Sequence, residues 1–233
     1  MKKRTVFLTG LKAMLPILPG VIPFGLIMGT AASNAGLNIF ETMGMNIIVL
    51  AGAAQLVTVD LLSKNVDSLV IVFTGLVINI RMVLYSAAFS PLFEQSNILT
   101  KTVASYMLTD QSYAVSIANE GLYNKRNDKI VFYFGGAITM VLCWHFSVVL
   151  GLVFGNFAPS SISLDFAVPL SFMALTIPTI KNRPALLVSI LSAVLSILFY
   201  GLPYNLGLVL AAGIGIAFGT ILTENLTRRS YEI

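Results

Sequence analysis

The stretch Ser68–Pro91, SLVIVFTGLVINIRMVLYSAAFSP, decides how this chain is read. It is an apolar run long enough to cross a bilayer, because about 20 helical residues cover the hydrocarbon core. Asn79 and Arg81 stand at its middle. A guanidinium near the bilayer centre costs at least about 2.5 to 3.5 kcal/mol, so a cavity or a charge partner has to compensate it. An ionisable residue at that depth is read as a functional site.

The rest of the chain agrees with a membrane setting. Hydrophobic residues make up 57% of the 233 positions and charged residues only 10%, with a mean hydropathy of +0.88. A soluble domain carries about a quarter charged residues. No hydrophilic interval exceeds about a dozen residues, whereas a soluble domain needs about 50. The single Cys143 excludes an internal disulfide and a multi-cysteine metal site. The net charge of +4 is spread over span ends and forms no nucleic-acid patch. The leader, residues 1–12, runs into a full-length apolar span with no small-residue cleavage site, and it is read as the start of a retained first helix.

Apolar runs and polar punctuation predict eight spans: Ala13–Ser33, Met43–Leu62, Ser68–Ser90, Thr102–Asn119, Ile130–Phe154, Leu164–Ile180, Ala185–Tyr200 and Asn205–Leu222. The expected fold is all-α, a polytopic helical membrane bundle of about eight spans, with seven as the alternative count and some helices broken. Both termini are expected in the cytoplasm, residues 1–12 and 223–233 flanking one transport domain over 13–222. With this topology twelve of the fourteen basic residues fall on the cytoplasmic side, leaving Arg81 inside a span and Lys101 outside. The partition argues that the weakest span, Thr102–Asn119, crosses, although re-entrant pieces inside the bundle would preserve the same parity.

Several spans carry features beyond hydrophobicity. In the first, Pro16, Pro19, Gly20, Pro23 and Gly25 crowd together, and each interior proline removes a backbone hydrogen bond at a cost of about 3 kcal/mol. The expectation is a broken helix, tolerated where protein or a wet cavity satisfies the freed backbone; a plain proline kink is the simpler alternative. Gly25 and Gly29 make a small-residue packing face. The second span ends the run Ala51–Gly52–Ala53–Ala54 in Gln55, which can bond a neighbouring helix or a substrate. In the fourth, Thr102, Ser105, Thr109, Ser112 and Ser116 recur at helical spacing beside Tyr106, Asp110 and Tyr113. Asp110 is the best partner for Arg81 and could also carry a proton. His145 beside Trp144 is either a satisfied core residue or a proton relay, and Asp165 either caps its helix or takes part in coupling. No second ligand stands at metal-binding spacing near His145.

Five stretches together resemble the AzlC family, the large subunit of bacterial branched-chain amino acid exporters. They are Pro23–Phe24–Gly25 with Gly29; Ala51–Gly52–Ala53–Ala54–Gln55; Asn79–Ile80–Arg81 with Tyr85; Leu108–Thr109–Asp110 with Tyr113; and Leu164–Asp165–Phe166. They occur in the family's order and cover most of the chain. Family members often carry a histidine directly after the arginine; here Met82 stands there, so a coupling role for that histidine does not transfer. The resemblance implies export of leucine, isoleucine, valine or related apolar amino acids across a bacterial inner membrane, driven by protons, with a small AzlD-type membrane partner. It implies no cofactor and no enzymatic activity. A channel for another small solute and a non-transporting scaffold are the alternatives.

A zwitterionic amino acid at membrane depth needs donors for its carboxylate, acceptors for its ammonium and an apolar pocket. Arg81 is expected to hold the carboxylate through its planar fork, helped by amides freed near Pro23 and Gly25 in a broken first helix. Asp110, Gln55 or Asn79 would receive the ammonium, and Phe24 would line the side-chain pocket. Asp110, Asp165 and His145 are the proton-coupling candidates. The alternative for Arg81 and Asp110 is a structural ion pair.

Overall fold

The computed structural model describes residues 2–154, 180, 182–202 and 206–231. The predicted sixth span, with Asp165, lies outside the described residues. The chain divides into two compact units, residues 1–175 and 176–233, and all regular structure among the described residues is helical.

In the first unit, α1 (Lys3–Met14), a 3-10 turn (Leu15–Ile17) and α2 (Leu18–Asn34) follow one another without a gap. Then come α3 (Ile39–Ile48), α4 (Gly52–Ser63), α5 (Ser68–Phe93), α6 (Ile98–Tyr106), α7 (Asp110–Ala118) and α8 (Arg126–Phe154). Three stretches are long and apolar enough to cross a membrane: Lys3–Asn34, Ser68–Phe93 and Arg126–Phe154. The predicted second and fourth crossings are instead pairs of shorter helices that turn back near the middle of α8: α3 and α4 both meet Trp144, through Asn46 and Gly52, and α6 and α7 run up to Asp110 beside Met140 and back to Val115 beside Gly136. Polar caps start most of these helices: Asn38 accepts from Glu41 N–H at 3.0 Å, Asp67 from Leu69 N–H at 2.9 Å and Asn97 from Thr100 N–H at 2.8 Å. Turns in the left-handed region end α2 at Gly36 (φ 81°) and α4 at Asn65 (φ 53°), where glycine and asparagine are tolerated.

The first crossing corrects the expectation of a break. Pro16 and Pro19 would orphan the carbonyls of Lys12 and Leu15 in an α-helix. Leu15 N–H instead donates to the Lys12 carbonyl and Leu18 N–H to the Leu15 carbonyl, so a single tightened turn recovers both acceptors. The helix begins at Lys3, ten residues before the predicted span, with Val6, Gly10 and Met14 buried.

Helix α8 is the column of this unit and packs against α1, α2, α3, α5 and α7. Its seam with α1 and α2 is set by glycines. A methyl on Gly10 would strike the Phe132 carbonyl, one on Gly135 the Phe7 carbonyl, one on Gly29 the Val148 carbonyl and one on Gly151 the Leu26 carbonyl. The Thr30 hydroxyl donates to the Gly151 carbonyl across the seam at 3.3 Å. Residue numbers rise together on both sides, so the two helices run parallel. Two parallel crossings need an odd number between them, and α5 supplies it alone; the weak fourth span, Thr102–Asn119, turns back at Leu108–Asp110 and corrects the expectation that it crosses.

In the second unit, α9 (Arg183–Leu198) starts on an Asn182 cap that accepts from Ala185 N–H at 2.8 Å, with Pro184 in its first turn. It packs against α10 (Leu206–Tyr231). Ala211 is buried, Gly215 lies against Ser192, and a methyl on Gly219 would come within 3.1 Å of Val188. Ala211, Gly215 and Gly219, spaced four residues apart, thus make a small-residue face that serves an internal neighbour.

Candidate functional site

The true interruptions lie in the second and fourth predicted spans, at the tips of the pairs α3–α4 and α6–α7. Between α3 and α4 the chain leaves the helix at Val49–Ala51, and three polar side chains occupy the gap. Gln55 Nε2 donates to the Val49 carbonyl at 2.6 Å and to Asn46 Oδ1 at 3.0 Å. Trp144 Nε1 on α8 donates to the same Asn46 oxygen at 2.7 Å. Helix α4 then starts on Ala51, which has no side chain to cap it, so its first-turn amides keep their capacity for an outside acceptor. Between α6 and α7 the break is self-capped: Thr109 Oγ1 accepts from Ser112 N–H at 3.2 Å and Ser112 Oγ accepts from Thr109 N–H at 2.8 Å.

Both breaks face one small cavity. Its walls include Leu50, Ala51, Gly52 and Ala53 from the first break, Thr109, Asp110 and Gln111 from the second, Arg81 and Met82 from α5, Phe24 from α2, and Met140, Val141 and Trp144 from α8. Gly52 is required here, because a methyl on it would lie 2.5 Å from the Trp144 ring and 3.2 Å from Phe24. Phe24 and Trp144 meet edge to face at 5.3 Å between centroids. The cavity measures about 30 Å³, room for a water molecule or two. An amino acid would require it to open.

Arg81 Nη1 and Asp110 Oδ2 pair at 3.0 Å, with about a quarter of each side chain exposed (30% and 23%). The pairing is single-pronged. Arg81 Nε and Asp110 Oδ1 are both buried and have no hydrogen-bond partner among the described residues. Asp110 occupies the first turn of α7, where the helix N-terminus favours a carboxylate. Tyr85, one turn beyond Arg81, stands beside the same carboxylate and stacks on Tyr113 at 4.6 Å.

Residues 16–158 match the family model described as AzlC protein, which covers more than half of the chain. The chain belongs to the AzlC family. It is 24% identical over 205 residues to the inner membrane protein YgaZ of Escherichia coli K12, covering 84% of this chain and 83% of that protein. It is 25% identical over 197 residues to an uncharacterized membrane protein of Helicobacter pylori 26695, covering 82% and 84%. No solved structure matches. Membership in AzlC, the apolar helices and the names of these relatives support an inner-membrane location, and they are consistent with a membrane transporter rather than an enzyme.

Of the residues singled out in the sequence, the structure brings Phe24, Arg81 and Asp110 to the cavity wall. Gln55 does not line it; it is 1% exposed and braces the α3–α4 break, its Oε1 without a partner. Asn79 also has a buried, unpartnered Oδ1 but is not a wall residue. Pro23 lies inside α2, and a methyl on Gly25 would lie 2.5 Å from Ser147 Cβ of α8, a seam position. His145 Nδ1 meets the Val141 carbonyl of its own helix at 2.8 Å and is not on the cavity wall. Asp165 is outside the described residues. Sequence reasoning missed Asn46, Trp144 as a donor, and the uncapped α4 start. A polar Asn46 inside an apolar run was the available signal for the first, and Thr109–Asp110 with Ser112 three residues on was the capping signature of the second break.

Proposed function

We propose that this AzlC protein exports branched-chain or related apolar amino acids across the bacterial inner membrane, with both termini in the cytoplasm, driven by protons and working with a small AzlD-like membrane subunit. The observation that carries the reading is the incomplete Arg81–Asp110 pair. A purely structural pair gains most by closing the guanidinium fork on both carboxylate oxygens. Here one buried donor and one buried acceptor oxygen of the pair are left unused, on two residues that wall the cavity, and a zwitterion needs one of each. The substrate carboxylate takes the free edge of Arg81 and the amides of Gly52 and Ala53 at the start of α4. Its ammonium takes Asp110, and its apolar side chain lies among Phe24, Leu50, Met140 and Trp144. Protonation of Asp110 would weaken its hold on the ammonium and couple release to the proton gradient.

The test is efflux of labelled leucine from loaded vesicles containing the protein with and without the small subunit. Arg81→Lys keeps the charge but loses the fork, and flux is expected to fall more than tenfold at unchanged protein level; normal flux removes the carboxylate role. Asp110→Asn is expected to flatten the pH dependence of transport, with His145→Gln and Asp165→Asn as the parallel arms. A pH profile that stays the same in Asp110→Asn, and changes in one of the others, moves the proton site there. Saturable counterflow is the expected kinetic form, and linear conductance would mark a channel.

A further inference from the structure

A second, larger cavity opens at the far end of α5, about 490 Å³, bounded by Ser86, Phe89, Phe93, Glu94, Lys101 and Leu108 among others. That volume falls in the range of about 300 to 1,000 Å³ typical of small-molecule sites. It carries one acid and one base. Neither Glu94 nor Lys101 enters an ion pair among the described residues, where the pairs are Lys64–Asp60, Arg81–Asp110 and Lys129–Glu120. Its floor is apolar: Phe89, Phe93 and Leu108 are buried with Tyr133 in one packed cluster.

This cavity is joined to the central one by a stripe of α5. Arg81, Tyr85, Phe89 and Phe93 recur every fourth residue and so share a face of the helix. Arg81 lines the central cavity and the two phenylalanines line the larger one. Between them Tyr85 stacks on Tyr113 at 4.6 Å, and Phe89 leans on Tyr113 at 5.3 Å. The opposite wall is continuous too, since Leu108 borders the larger cavity and its neighbour Thr109 the smaller.

We infer that the α5–α6 cavity is a second station for the same zwitterionic substrate, separated from the central site by the Tyr85–Tyr113 stack. Glu94 receives the ammonium, Lys101 the carboxylate, and Phe89, Phe93 and Leu108 the apolar side chain. This rests on the amino acid reading of the central site. Phe89 and Phe93 pack on Tyr133 and Phe134 at the start of α8, level with Phe7 of α1, so in the proposed topology the station lies on the cytoplasmic side, where it takes up substrate before it passes the tyrosines.

The test is equilibrium binding of tritiated leucine to the purified protein. Two equivalents per chain are expected for the wild type. Glu94→Gln/Lys101→Gln should lose one and keep the one that depends on Arg81; Arg81→Lys should lose the other and keep the one that depends on Glu94 and Lys101. A single equivalent abolished by Arg81→Lys would overturn the second station and leave the central site standing. A single equivalent abolished by Glu94→Gln/Lys101→Gln alone would overturn the central site instead, and with it the two-station path. No binding would overturn both. A second measurement needs no stoichiometry: in Ser90→Cys/Cys143→Ser/Arg81→Lys, leucine should slow maleimide labelling at position 90 at least threefold, and an unchanged rate would overturn the station.

Discussion

The first predicted span holds three prolines and stays continuous, whereas the second and fourth predicted spans hold none and are interrupted. The difference lies in what can satisfy the backbone. In the first the bonds lost to Pro16 and Pro19 are recovered locally, the Lys12 and Leu15 carbonyls each taking an amide three residues on. In the second the carbonyl of Val49 is taken by Gln55, itself fixed through Asn46 to Trp144. In the fourth Thr109 and Ser112 cap each other. A membrane helix therefore breaks where polar side chains stand ready to receive the loose ends, and proline alone does not decide the matter.

The sharpest way to break this comparison is to fill the space at the second interruption. Gly52→Val would press on Trp144 and Phe24, and leucine flux is expected to vanish with a stability loss of about 1 to 3 kcal/mol from overpacking. In the first crossing Gly20 has nothing within 4 Å of its methyl position, so Gly20→Ala should leave flux intact and gain about 0.5 to 1 kcal/mol. Thermal unfolding of the purified protein and flux in vesicles read both. Equal damage from the two would erase the distinction.

Asn46→Leu comes next. It removes the shared acceptor of two buried donors, which costs about 1 to 3 kcal/mol, and flux should fall with it as the start of α4 loses its brace. Thr109→Ala should cost about 1 kcal/mol, the usual worth of an N-cap, with flux reduced but measurable because Asp110 keeps its place in the turn. The smallest effect is expected of Pro16→Ala/Pro19→Ala: a change within about 1 kcal/mol and unaltered leucine efflux. Loss of efflux there, at normal protein level, would return the prolines to the site.

Much of this architecture was legible. Hydropathy located the long helices α2, α5 and α8 but read the turn-back pairs α3–α4 and α6–α7 as crossings, because an apolar run of span length looks the same whether or not it folds back; the buried charge on α5 led to Asp110 as its partner. The proline cluster misled, because the rule for an ordinary helix counts the hydrogen bond each proline removes and not the shorter bond that can replace it. Gln55 was legible as a residue with a polar task but not as a brace, since its partners Asn46, the Val49 carbonyl and Trp144 meet only once α3, α4 and α8 are folded together. Gly25 looked like part of a substrate loop, whereas its size is required by the Ser147 side chain facing it.

The glycine seam along α8 has a consequence for movement. Backbone lies on backbone at Gly10, Gly29, Gly135 and Gly151, leaving no side-chain cushion that could slide or re-pack. In the proposed transport cycle the long pair of helices would then act as the chassis of the machine, and the parts free to travel would be the half-helices α4 and α7 with the charged length of α5, hinged at the very places where their ladders stop.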